Sequence, residues 1–217
     1  MRGCYHYPMK RLILLGPILF AVVLVTLTIV QYDFMRGLGW HPINDPTFDW
    51  PSGLALGKYG IMMTATFIIS GLLIAALALR LKADLKPSPA LAPGASVNQT
   101  QGRPAGTSKA GSTLLALSGL ALAGLAFTTD PTIRDYPATW HGPLHDLSFV
   151  LLGLTLFPAM IVLGFAFRNN ESWRNLSIYT WLTLAFAIPA FVLKGAAFYV
   201  FLFAILVWCE VIAIRVK

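Results

Sequence analysis

Asp130, His141 and His145 are the residues whose types and spacing are best suited to chemistry. Asp130 closes the run Phe127-Thr128-Thr129-Asp130-Pro131, and the two histidines lie four apart in His141-Gly142-Pro143-Leu144-His145-Asp146. Imidazoles at that spacing share one face of a helix. With a nearby carboxylate they form a candidate ligand set for a divalent metal, or a general acid/base pair. His41 or Asp33, from an earlier loop, would complete such a metal set. The run lacks the glutamate of the zinc-protease pattern and has no third histidine nearby. An equally good reading has the imidazoles hydrogen-bonding loop carbonyls at a helix interface. Bis-histidine haem ligation is disfavoured, because it needs axial ligands from facing sides and no histidine lies in the middle of an apolar run. Two further ionisable groups stand beside or within apolar runs: Lys194 at a turn, and Glu210 next to Trp208 and Cys209. Both are read as ion-pair partners, Lys194 towards Asp130 or Asp33 with snorkelling to water as the alternative, and Glu210 towards Arg215, Arg80 or Arg168.

The elements that must position these groups are apolar. Of the 217 residues, 57% are hydrophobic and only 12% are charged, and the mean hydropathy is +0.69. A soluble chain carries roughly twice that charged fraction, about 25%. The composition therefore predicts an all-α integral membrane protein. The net charge of +7 does not point to nucleic acid, because the basic residues flank apolar runs instead of forming a stripe among aromatic side chains. Anionic lipid headgroups explain them more simply.

Six spans are expected, at about 12–30, 59–79, 112–127, 147–167, 176–193 and 197–214. The first is too long for the core of a cleaved signal peptide and carries Pro17 as a tolerated kink. Residues 87–111 are rich in Pro, Ala, Gly, Ser, Asn and Gln and read as a disordered cytoplasmic linker between 1–86 and 112–217. The tryptophans of the first loop, Trp40 and Trp50, suit an interfacial belt. Ser112, Ala116, Gly119, Ala123 and Ala126 recur at helical steps along the third span, a small-residue face suited to close packing that leads to Asp130. In the fourth span Pro143 belongs in a first turn, so His141 falls at or just ahead of the helix start. Twelve of the sixteen Lys and Arg residues lie near span ends on one side, which puts both termini and the linker in the cytoplasm and the Asp/His cluster at the outer mouth. Cys4 and Cys209 would then both face the cytoplasm, where no disulfide is expected.

Several short motifs taken together resemble a bacterial and archaeal membrane family known as domain of unknown function 998. They are Leu15-Gly16-Pro17, the run Ser52-Gly53-Leu54-Ala55-Leu56-Gly57-Lys58-Tyr59-Gly60, Phe127 to Pro131, His141-Gly142 with His145, and Trp208 with Glu210. The resemblance covers nearly the whole chain outside the linker, which is longer here than the compact loop expected. It implies six spans in a bacterial-type cytoplasmic membrane and assigns no activity. Three functions follow from the sequence, in descending order. The first is a non-enzymatic bundle that binds membrane lipids or another membrane protein. The second is a metal-dependent hydrolase or transferase acting at the outer leaflet through Asp130, His141 and His145. The third is a small-solute transporter, for which no charge lies at mid-depth.

Overall fold

The computed structural model describes residues 6–41, 43, 51–85, 105–130, 138–193 and 195–216. Among the described residues the chain is all helical. Its helices are α1 (His6–Val30), the short α2 (Tyr32–Gly37), α3 (Gly60–Asp84), α4 (Ala105–Gly124), α5 (Gly142–Arg168), α6 (Arg174–Val192) and α7 (Ala196–Arg215), with a 3-10 helix at Pro51–Leu56. Five of them, α1, α3, α5, α6 and α7, are long and apolar enough to cross a membrane, so the chain is read as a multi-pass membrane protein. Their outward faces carry large apolar side chains in the open, among them Ile29, Ile61, Leu154, Leu182 and Ile214, each at least 60% exposed. Such faces suit lipid, not water.

The six long helices form a ring in chain order. Each packs chiefly on its two neighbours, α1 on α3, α3 on α4, and so on to α7, which returns to α1. Contacts along the seams show sequential neighbours running antiparallel. On the α4–α5 seam, Gly111 lies against Leu163, Ser118 bonds Thr155, and Gly124 lies against Ser148. Gly195, at φ 62°, makes the turn between α6 and α7.

The fourth helix differs from its expected range. It runs Ala105–Gly124 and not 112–127, because the chain leaves the α-helix at Leu125 even though the apolar residues continue to Phe127. Its first seven residues fall where the linker was expected, and residues 86–104 lie outside the described ones. Its polar first turns keep it out of the five apolar helices, yet it is the most closely packed helix of the ring. The small-residue face does this work. A Cβ on Gly119 would come within 2.6 Å of the Gly71 carbonyl oxygen, and one on Gly71 within 2.5 Å of the Gly119 carbonyl oxygen. The two backbones therefore touch. On the next seam Gly16 admits Leu73, and the Ser70 hydroxyl donates to the Gly16 carbonyl at 2.9 Å. On the α6–α7 seam the Trp208 indole N–H donates to Thr180 Oγ1 at 3.0 Å.

The 3-10 helix folds against the end of the ring where α1 stops. The buried Gln31 amide donates to the Leu54 carbonyl at 3.0 Å, and its oxygen accepts from the Tyr59 N–H at 3.1 Å. A Cβ at Gly57 would reach 2.0 Å from that amide oxygen, which accounts for the glycine in this motif. Trp40 is buried against Tyr32 and Tyr199, while Trp50 lies outside the described residues. Cys209 is free and buried.

The backbone contact of α3 with α4 has a direct test. Gly119→Leu should lower stability by about 3 kcal/mol, since the opposing group is backbone and cannot rotate away. Gly106→Ala, where an added Cβ meets open space, should hold stability or raise it by up to about 1 kcal/mol. Thermal unfolding of detergent-solubilised protein reads both.

Candidate functional site

A helix that stops inside a membrane protein leaves carbonyls that need donors. The end of α4 shows how this chain supplies them. Past Gly124 the chain tightens, with the N–H groups of Leu125, Ala126 and Phe127 each reaching back three residues. The carbonyls of Leu125, Phe127 and Thr128 then face the start of α5. There His145, only 4% exposed, donates from Nδ1 to the Phe127 carbonyl at 2.6 Å, with the Leu125 carbonyl 3.2 Å away. His141, immediately ahead of α5, donates from Nδ1 to the Thr128 carbonyl at 2.9 Å. The first turn runs from Gly142 with Pro143 inside it, and the His145 N–H bonds back to the His141 carbonyl at 3.0 Å. The spacing of four thus does place both imidazoles on one face, and that face is turned to the end of α4. Ser148 and Thr155 continue it, Ser148 beside Gly124 and Thr155 bonded to Ser118 at 3.0 Å.

Asp130 joins the same network through a residue that the sequence did not single out. Its carboxylate accepts the Thr139 N–H at 3.0 and 3.2 Å and the Thr139 hydroxyl at 2.5 Å. The Thr139 oxygen, its hydrogen given to Asp130, lies 2.8 Å from His141 Nδ1 and 3.4 Å from the Gly142 N–H. Asp130, Thr139 and His141 form one chain of hydrogen bonds that ties Asp130 to the helix start. The Thr139 hydroxyl, then the Thr139 N–H, and last the charge of His141 hold the Asp130 carboxyl below the ordinary range, against a smaller opposing effect of burial. Gly142 is required beside it, because a Cβ there would stand 2.2 Å from Asp130 Oδ2. The Phe127 to Asp130 run and the His141-Gly142 step are therefore two halves of one junction.

The other expected site residues are elsewhere. His41 Nδ1 accepts from Arg36 at 2.6 Å, and Asp33 is exposed in the first turn of α2. Among the described residues no three His, Cys, Asp or Glu side chains are grouped so as to hold a metal ion. Lys194 lies outside the described residues. Among the described residues Glu210 Oε2 has no hydrogen-bond partner, and Arg215, expected to pair with it, donates to the Ser172 carbonyl.

The most conspicuous feature is one that the sequence did not indicate. The axis of the ring encloses a cleft with about 590 Å³ of empty space, counting its open mouth. Phe20, Phe67, Leu122, Phe149, Phe191 and Phe201 wall it, one from each long helix, and Ser52 and His145 stand at one end. A second cleft with about 500 Å³ of empty space, counting its open side, shares Phe20, Leu122, Leu156 and Phe201 with the first and reaches Ser118 and Cys209. Sharing these walls, the two apolar voids lie next to each other within the ring. Phe191 anchors the wall of the first, packing on Phe149, Phe157 and Phe201 with ring centroids 5.9, 5.7 and 5.2 Å away.

The profile of a protein family described as "Protein of unknown function (DUF998)" matches residues 14–215. No curated protein matches the chain. No solved structure matches it either.

The junction has a pH signature. A carboxyl whose folded value is lowered contributes stability that is full above the unfolded value, about pH 4, and is lost as pH falls through the lowered folded value. The stability difference between wild type and Asp130→Asn should therefore be constant at neutral pH and shrink below about pH 4. Unfolding midpoints measured against pH for the two proteins check it, and a gap that widens on acidification contradicts the assignment.

Proposed function

From a chain that belongs to the DUF998 family, whose description assigns no activity, we propose a non-enzymatic lipid-binding membrane protein that holds one apolar chain along the axis of its helical ring. The observation that carries this is the pair of adjoining axial clefts, walled by all six long helices and lined almost wholly by aromatic and aliphatic side chains. Ligand cavities are concave and apolar with a few polar groups to orient what they hold, and here Ser52 and His145 stand at one end. The Asp130–Thr139–His141 network, by contrast, is occupied in tying the α4–α5 junction together. On this reading it keeps the cavity mouth in shape and does no chemistry of its own.

In this proposal the chain crosses the bilayer six times, with α4 as the least apolar crossing. It lies in a bacterial-type cytoplasmic membrane with both termini in the cytoplasm and the His145 end of the cavity on the outer side. The basic residues near the span ends support that orientation. The low hydropathy of α4 does not count against a crossing, since it packs closely on both α3 and α5.

Gly153 provides the test. It lines the cavity, and a Cβ there meets nothing within 4 Å, so a larger side chain can grow into the void without displacing backbone. Wild-type protein should retain close to one equivalent of lipid through extensive detergent washing, measured by mass spectrometry of the extracted material. Gly153→Phe should retain at least about tenfold less while unfolding at the same temperature or higher, because it fills a void. Equal lipid retention by the two proteins would overturn the proposal.

A further inference from the structure

Resting on the reading of the axis as a chain-binding cavity, we propose that its occupant is an uncharged single-chain lipid with a free hydroxyl head, and that the hydroxyl donates to Nε2 of His145. The argument begins with the tautomer. His145 Nδ1 lies 2.6 Å from the Phe127 carbonyl and 3.2 Å from the Leu125 carbonyl. A carbonyl oxygen accepts and never donates, so Nδ1 carries a hydrogen. In the neutral ring the other nitrogen then presents a lone pair. His145 Nε2 makes no hydrogen bond among the described residues, and the ring stands in the cavity wall. What it lacks is a donor.

The rest of the lining sets the charge of the ligand. Among the described residues no Lys or Arg borders either void to meet an anionic head, and no Asp or Glu borders them to balance an imidazolium. A carboxylate or phosphate brought to His145 would lose its water for one hydrogen bond, which is a large uncompensated cost. A neutral alcohol loses little and gains the acceptor. An ester or ether of the same length fits the walls but has no hydrogen to give.

Dimensions set the remainder. From Phe198, beside the His145 end, to Cys209 at the far end of the second void, α7 rises about 16 Å at 1.5 Å per residue. That length accommodates the greater part of one fatty chain. The bulky Phe and Leu side chains of the wall, among them Phe149, Phe191 and Phe201, narrow the passage to the width of one chain. A long-chain alcohol or a monoacylglycerol has this shape and this donor.

The experiment uses full-length protein in lipid nanodiscs and an oleyl alcohol carrying a photoreactive diazirine in its chain. Crosslinks are mapped by peptide mass spectrometry and competed with unlabelled oleyl alcohol, oleyl methyl ether and oleate. Label should appear on cavity-lining peptides of α5 and α7. Oleyl alcohol should compete about tenfold better than the methyl ether, the worth of one buried hydrogen bond, and better still than oleate. In His145→Phe the alcohol and ether should compete equally. That variant also removes the donor to the Phe127 carbonyl, and if it does not fold, the ranking of the three competitors on wild type decides alone. Oleate or the ether matching the alcohol on wild type overturns the hydroxyl assignment and leaves the chain-binding reading in place. Labelling of α5 and α7 that Gly153→Phe does not reduce overturns the chain-binding reading itself.

Discussion

Six helices packed edge to edge in a ring cannot fill their own axis. In a regular ring of six, the distance from each helix axis to the centre equals the distance between neighbours, about 8–10 Å. Backbone and short side chains cover only part of that radius, so the centre is reached only by the longest side chains. This chain places Phe20, Phe67, Phe149, Phe191 and Phe201 there. They narrow the axis without closing it. The void is a consequence of the topology, in which every long helix leans on its two sequence neighbours and α7 returns to α1. It would be lost if one helix fell into the middle. Backbone contact at Gly71 and Gly119 works against that collapse, because α4 held that tightly to α3 has no freedom to move inward.

The polar groups obey a second constraint. Water is scarce at the depth where helices meet, so each backbone carbonyl left at a helix end must find a donor from the protein. The junction between α4 and α5 satisfies this with two imidazoles. His145 and His141 take the carbonyls of Phe127 and Thr128, and Thr139 bridges Asp130 to His141. A lysine would carry an obligatory charge to the same place, and an asparagine is too short to cross from one helix to the next. The imidazole reaches, donates from one nitrogen, and leaves the other facing away. The His145 ring is also one of the groups that line the cavity. Structural satisfaction of one helix and a binding contact for a ligand thus come from opposite edges of one ring.

Much of this architecture is legible in the sequence, for reasons specific to particular residues. Long apolar runs with basic ends mark α1, α3, α5, α6 and α7, and Gly142-Pro143 marks the start of α5. The small residues from Ser112 to Ala126 foretell the tight packing of α4. The end of α4 is misjudged because Leu125 to Phe127 stay apolar where the backbone has already begun to turn. Thr139 carries no signal of its own, since its partner Asp130 is nine positions away across a loop. Gln31 is similarly silent, because its partners Leu54 and Tyr59 lie on a different segment. The cavity is invisible for a related reason. A phenylalanine in an apolar run has the same pattern whether it fills a core or lines a passage, and only the assembly of six helices separates the two.

The membrane setting decides what kind of specificity such a cavity can have. Burying hydrocarbon from water yields about 0.8 kcal/mol per methylene, and that gain drives chain binding in soluble proteins. A lipid in a bilayer has already collected it. Moving its chain from neighbouring lipid tails into the ring exchanges one apolar surrounding for another, with no hydrophobic driving force between them. Only two contributions remain to favour the cavity. The first is dispersion from walls packed more closely than fluid tails, to which the fixed Phe149, Phe157, Phe191 and Phe201 cluster contributes. The second is any polar contact that the head group makes better inside than at the headgroup layer. Walls of Phe and Leu discriminate poorly between chains of like thickness, so discrimination between lipids has to come from the polar end. In this ring that end offers Ser52 and the open nitrogen of His145, and the choice of ligand turns on what those few atoms accept.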